Sequence, residues 1–210
     1  MSAIDKLSEL FSKFPGVGPR QARRFVYFLL RQNQEYRKAL AQTILTINDE
    51  TEECGSCHRF FTLQFSGNKI EEILCDICES QNTNHSVLLV VEKDADFESI
   101  RRTEIYRGRY FILGGNIPIL EENPSQKIRA RALFNEVEKR AQNGSLKEII
   151  LAMGATSEGN NTLIYLKKIL EPLSKKHSLQ ISVLGRGLST GTELEYSDTD
   201  TFASALKNRR

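Results

Sequence analysis

Two cysteine pairs of identical spacing constrain this chain more than any other feature. Cys54 and Cys57 are separated by two residues, as are Cys75 and Cys78, and seventeen residues lie between the pairs. Each C-x2-C turn can aim two thiolates at one point, so the four together suit a tetrahedral Zn²⁺. All four ligands would come from protein, which leaves no open position and makes the site structural rather than catalytic. The competing reading is four free, buried cysteines. The spacer suits a finger or ribbon loop, and His58 reads as a surface neighbour rather than a fifth ligand. Residues 52–80 show little periodicity. Phe60, Phe61 and Phe65 alternate loosely, which predicts short strands, and so small a module could not be held by burial alone.

The cysteines divide two different patterns. Before them, Ile4, Leu7, Leu10, Phe11 and Phe14 recur at helical spacing. Pro15-Gly16-Val17-Gly18-Pro19 interrupts that helix, and Pro19 suits the first turn of a second one, which runs to about residue 32. A third is expected over 34–47. After the cysteines, strands alternate with helices. Strands are expected at Ser86–Glu92, Arg109–Leu113, Lys147–Met153 and Gln180–Gly185. Helices are expected at Asp96–Thr103, Ser125–Gln142 and Asn161–Lys176, with a short last one near 200–208. This alternation implies an α/β fold with a mostly parallel sheet. The organisation read from these shifts is 1–53 helical hairpin module, 54–79 four-cysteine finger, 80–182 α/β domain, and 183–210 C-terminal segment and tail helix.

At 40% hydrophobic and 27% charged residues, the chain should fold rather than stay disordered. Its apolar runs, such as Val87 to Val91, are far too short to span a bilayer. The N-terminus lacks a long apolar core and does not read as a secretory signal. A cytoplasmic protein is expected, and disulfides are not favoured in that compartment. The net charge of +2 is unevenly spread: Phe11 to Leu40 holds seven cations against one anion. Such a local excess suits an anionic partner, most often nucleic acid; a solvated helix face is the alternative.

The basic segment has internal order. On a helix, Arg20, Arg24 and Arg31 fall within about 40° of one another, with Arg23 about 60° to one side. Ala22, Phe25, Val26 and Leu29 take the opposite face. The helix starts directly after Gly16-x-Gly18, so its free N–H groups and positive dipole end can face a phosphate. Gly16 and Gly18 would let a nucleic-acid backbone come close. A second cluster is acidic. Glu92 ends the first α/β strand, Asp94, Asp96 and Glu98 follow, and Glu158 lies beyond a later strand. Carboxylates at strand C-termini occupy the usual functional edge of an open α/β sheet and could hold Mg²⁺. Capping of the following helices is the alternative.

In combination these segments carry a resemblance. LSELFSKFPGVGPRQARRFVYFLL resembles the helix–hairpin–helix of the RecR family, and the cysteine pairs match its four-cysteine zinc element in type and order. VLLVVEKDADFESIRRTEIYRGRYFILGG looks like its Toprim segment, and GRGLSTGTELEYSDTDTFASALKNR like its C-terminal signature. The match covers essentially the whole chain. It implies a non-enzymatic DNA repair and recombination mediator, a homo-oligomeric clamp, a homotetramer, that grips DNA without sequence specificity at gaps. It implies action with RecO, and often RecF, in loading RecA onto single strands coated by SSB, and a nucleoid-associated location. Arg20 and Arg24 match the family's basic hairpin positions, with Arg23 added by the helical argument, and the Toprim acids Glu92, Asp96 and Glu158 would contribute to RecO contact.

Three departures accompany the resemblance. The spacer between the cysteine pairs is longer than is common, which implies an extended zinc loop. Gly154-Ala155-Thr156-Ser157-Glu158-Gly159 stands where the family tends to N-P-T-x-E-G. The D-x-D pair of active Toprim enzymes is absent from that strand end; Asp198-Thr199-Asp200 has the spelling but lies past the last expected strand. The alternative reading, a Mg²⁺-dependent Toprim nuclease or primase-like enzyme using Glu92 and Glu158, is disfavoured by that absence. A plain zinc-ribbon regulator would leave the α/β part unexplained.

Overall fold

The structure, a computed structural model, describes residues 1–62, 73–185, 188, 191, 193–196 and 199–207. Phe65, Asp198 and most of the GRGLSTG stretch lie outside them. The chain forms two compact units, Met1–Glu52 and Glu53–Arg210.

The first unit is helical. α1 (Ala3–Ser12) begins with a capping box in which Ser2 and Asp5 satisfy each other's backbone N–H groups. Gly16 takes a left-handed backbone (φ 75°) in the turn that follows, a conformation open to glycine at little steric cost. α2 (Pro19–Arg31) starts at Gly18, and α3 (Gln34–Glu50) is capped by the Asn33 side chain. α1 and α2 are joined by an edge-to-face contact of Phe11 and Phe25, with ring centroids 5.8 Å apart. Only Ala22 and Val26 are fully buried in these helices.

β1 (Thr51–Glu53) spans the boundary, and β2 (Phe60–Thr62) and one short helix, α4 (Asp76–Glu79), follow in the second unit around the cysteines. There follow β3 (Asn84–Val91), α5 (Asp94–Arg101), β4 (Gly108–Ile112), α6 (Pro124–Lys127), α7 (Ala130–Gln142), β5 (Glu148–Ala152), α8 (Ser157–His177) and β6 (Gln180–Val183), then a 3-10 turn (Leu194–Tyr196) and α9 (Thr199–Lys207). β4, β3, β5 and β6 form one parallel sheet in that order. Successive residues of β3 face opposite sides. Leu88 and Val90 join Leu133 and Val137 of α7 and Leu166 and Leu170 of α8 in the larger core. Leu89 and Val91 face the other way, onto Phe97 of α5, Tyr110 and Ile112.

Three helix starts differ from the sequence expectation, each for a local reason. The expected helix over 125–142 is broken at Ile128, whose extended backbone (φ −136°, ψ 162°) sends its side chain into the larger core. Arg129 N–H then bonds the Leu113 carbonyl at 2.8 Å, so the sheet end holds the chain there. α8 starts four residues earlier than Asn161 because Thr156 caps it, accepting from Gly159 N–H at 3.0 Å. α5 starts at Asp94 because Asp96 reaches back to accept from Lys93 N–H at 3.1 Å. Among the described residues no helix is long and apolar enough to cross a membrane.

Leu133 is fully buried beneath the sheet, whereas Leu120 is 94% exposed. Leu133→Ala should therefore cost about 2–5 kcal/mol, and Leu120→Ala no more than about 0.5. Urea unfolding of the two variants, followed by circular dichroism, checks this ordering.

Candidate nucleic-acid interface and metal centre

In α2 the predicted division of faces is present. Arg20, Arg23, Arg24 and Arg31 are exposed, Ala22 and Val26 are buried, and Phe25 and Leu29 are half-buried. Gly18 supplies no side chain to cap the helix, so the first-turn N–H groups face outward beside the arginines. A methyl group added at Gly16 or Gly18 would meet nothing within 4 Å, so the hairpin surface is open to a close neighbour. The four arginines are not equivalent. Arg23 is 3.4 Å from Asp5, whose carboxyl is held below its usual range, first by hydrogen bonds from Ser2 and then by Arg23. Among the described residues Arg24 bonds only the neutral Gln21 side chain. Arg20 and Arg31 have no ion pair among the described residues. The sequence alone had not paired Asp5 with Arg23; the signal lay in the capping box, which fixes the Asp5 carboxylate near the hairpin.

The four cysteines converge. Their sulfur atoms lie within 4.8 Å of one another, all buried, and form the one group of three or more possible metal ligands that close together among the described residues. Cys57 and Cys75 Sγ are 3.6 Å apart, near the ~3.8 Å edge of a tetrahedron with metal–sulfur bonds of about 2.3 Å. Cys75 N–H points at Cys54 Sγ at 3.4 Å, as befits a thiolate. Cys54 is lowered to about 6 by hydrogen bonding from Cys57. Cys75 is also lowered, chiefly by Cys54, while Cys57 and Cys78 are raised. Four such sulfurs cannot all ionise in one buried cluster without a cation, and a divalent ion supplies the missing charge. The donor set therefore fits a metal ion.

His58 is not a free surface neighbour. Its ring lies edge-to-face on Phe111 (5.1 Å), and its Nδ1 is 2.7 Å from Glu53 Oε1. Arg129 also reaches Glu53, at 3.2 Å.

The acidic residues do not gather. Glu92 is 7% exposed, and its Oε1 accepts from Gly154 N–H at 2.5 Å. Burial and the Gly154 bond turn the Glu92 side chain inward. Gly159 packs against it: a methyl group there would overlap the Gly154 carbonyl and lie 3.1 Å from Glu92 Oε1. Asp96 serves as a helix cap, and Glu158 is exposed in the first turn of α8.

Comparison with known proteins agrees with this layout. A family model for the RecR helix-hairpin-helix matches residues 4–47, and a Toprim domain model matches residues 86–185. The recombination protein RecR of Dehalococcoides mccartyi is 34% identical over 99% of this chain and 94% of its own length. This chain belongs to the RecR family. RecR of Magnetococcus marinus is also 34% identical, over 100% of this chain and 96% of its own, and RecR of Enterococcus faecalis 31%, over 99% and 96%. The RecR resemblance noted from the sequence motifs is thus upheld along the whole length, as is the α/β, Toprim-like class with N-terminal helices, a four-cysteine cluster and a C-terminal helix.

Two outcomes follow from the geometry. Gly159→Ala should force the Glu92–Gly154 turn apart and cost about 1–3 kcal/mol, read as a lower thermal midpoint. Cys75→Ser should lower bound metal, measured by elemental analysis, and destabilise the cysteine element, because binding free energy is folding free energy at such a site. Full metal content and wild-type stability in that variant would contradict the assignment.

Proposed function

We propose that this protein is a non-enzymatic mediator of DNA repair and recombination. It grips DNA as an oligomeric clamp and acts with RecO, and with RecF, to help RecA load at SSB-coated gaps. The single observation that carries the reading is the exposed arginine stripe of α2 beside the uncapped, glycine-lined hairpin, in a chain whose full-length relatives are named recombination protein RecR. The guanidinium groups and the helix N-terminus together favour phosphate. They offer no row of Asn or Gln side chains spaced for base edges, so binding is expected to be independent of sequence.

The metal is proposed to be one structural Zn²⁺, held by Cys54, Cys57, Cys75 and Cys78. An all-thiolate tetrahedral set suits zinc and leaves no position for substrate. An oligomer, proposed as a tetramer, is supported by an apolar cavity of about 570 Å³ in the helical unit, lined by residues of all three helices including Ile4, Phe11, Leu29, Leu40 and Ile44. A second copy of the chain would cover it. The absence of catalysis is supported by Glu92, whose carboxylate is committed to the Gly154 turn, and by the missing D-x-D pair. Asp96 and Glu158 mark the proposed RecO-facing edge, with Glu92 shaping it from within. The module boundaries 1–53, 54–79, 80–182 and 183–210 remain the proposed division of labour.

Arg20→Ala with Arg24→Ala should abolish about two phosphate contacts per protomer and lower the salt slope on duplex DNA by roughly two units. Among the described residues Arg20 has no competing carboxylate and Arg24 only Gln21, so their loss should exceed that of Arg37→Ala with Lys38→Ala. Gel-shift titration at two salt concentrations, with circular dichroism to confirm folding, is the test. Wild-type affinity in the folded Arg20, Arg24 variant would move the DNA site off the hairpin.

A further inference from the structure

The two faces of the parallel sheet are covered very unequally. α7 and α8, of 13 and 21 residues, lie on the face that bears Leu88 and Val90. On the opposite face α5, of 8 residues, is the one helix after the cysteines, among the described residues, that packs on Leu89, Val91, Tyr110 and Ile112. The cysteine element completes that second cover. Ile77, between Cys75 and Cys78, packs against both the cysteine cluster and this smaller core. Arg59, two residues after Cys57 and 4% exposed, lies over the Phe97 ring at 5.1 Å and pairs with Asp76.

The first cysteine turn is fixed to the edge strand as well. Cys57 carbonyl accepts from Ile112 N–H at 2.9 Å, on the side of β4 away from β3. His58 meets Phe111 of the same strand edge-to-face. Ser56 Oγ donates to Glu136 at 2.7 Å and accepts from Arg140 at 2.9 Å, both on α7. Thus Ser56, Cys57, His58, Arg59 and Ile77 all contact the α/β part, and the cysteines among and beside them are what a metal would fix.

We infer that the metal at the four cysteines staples the α/β domain itself: it locks the cysteine turns as the second cover of the sheet and as the cap of edge strand β4. Occupancy of the site then controls the order of β4 and α5, and so of the edge that carries Asp96, which a self-contained finger would not do. The inference rests on the proposed metal at the cysteines and is independent of the DNA reading. Coupling of this kind is reciprocal. Metal removal loosens β4 and α5, and loosening the smaller core without touching a cysteine speeds metal loss.

The experiment uses the full-length protein with its metal content first measured. Metal release is timed with the chromophoric chelator 4-(2-pyridylazo)resorcinol. Ile77→Ala and Phe97→Ala should each release metal about tenfold faster or more, Ile77→Val about twofold faster. Leu170→Ala, in α8 on the opposite face, should lower the thermal midpoint but keep the wild-type release rate. Hydrogen exchange of the chelated wild-type protein should show new exposure at residues 94–101 and 108–113, with α8 still protected. Wild-type release rates in Phe97→Ala and Ile77→Val, or exposure confined to 54–62 and 73–79, would overturn the staple. If Ile77→Ala is unfolded by circular dichroism, Ile77→Val and the exchange map decide. A protein isolated without metal, binding none on addition of Zn²⁺, would instead overturn the metal reading and the staple with it.

Discussion

The contact between the cysteine turns and the edge of the sheet organises the second unit. An edge strand presents unpaired N–H and C=O groups to solvent, and proteins blunt such edges with covering segments. Here the cover is a turn that carries Cys54 and Cys57 of the four-cysteine cluster. Ile112 N–H finds its partner in the Cys57 carbonyl, and the Arg59 guanidinium, nearly inaccessible, is compensated by Asp76 and by the Phe97 ring. A buried cation is tolerated only with such partners. The surroundings of the cysteines therefore belong energetically to the α/β core, although in sequence they lie before it.

The same economy governs the far end of the sheet. Glu92 leaves β3 where Toprim enzymes would place chemistry, yet its carboxylate is engaged by the Gly154 amide and backed by Gly159. That arrangement holds β3, β5 and the start of α8 together at one point. Thr162 adds a second tie from α8, accepting from Ile117 N–H at 2.8 Å while its own hydroxyl bonds the Glu158 carbonyl. The carboxylate is structural in this setting, which agrees with the proposed non-enzymatic role.

The sequence made much of this legible because several signals were local. The C-x2-C pairs announced a common cluster, the Pro19 start and the spacing of Ala22, Phe25, Val26 and Leu29 announced the buried face of α2, and apolar runs announced the strands. What it hid was nonlocal. No periodicity reveals that Ile128 turns inward and splits a helix, because Leu113, fifteen residues earlier, claims the next amide. Nothing near His58 in sequence points to Phe111. Glu92 read as a carboxylate of the functional sheet edge because its Gly154 partner lies sixty-two residues away. The masking of Arg23 by Asp5 likewise needs the α1–α2 packing to be seen.

The helical unit poses the opposite physical problem. A piece of about fifty residues has little interior, and small domains struggle to offset the entropy of ordering their chain. In this one only Ala22 and Val26 are fully buried within the helices, while Leu10, Phe14, Leu30 and Ile44 are each more than half exposed. Apolar surface on that scale marks an interaction face. α2 belongs to both sides of the problem: Val26 and Leu29 line the apolar cavity, and Arg20 and Arg24 lie on its other face. Covering the cavity would stiffen α2 along its length, and a stiffer helix holds its arginines in register with phosphates at lower entropic cost. In the proposed clamp, assembly and DNA affinity are thus linked through one thirteen-residue helix.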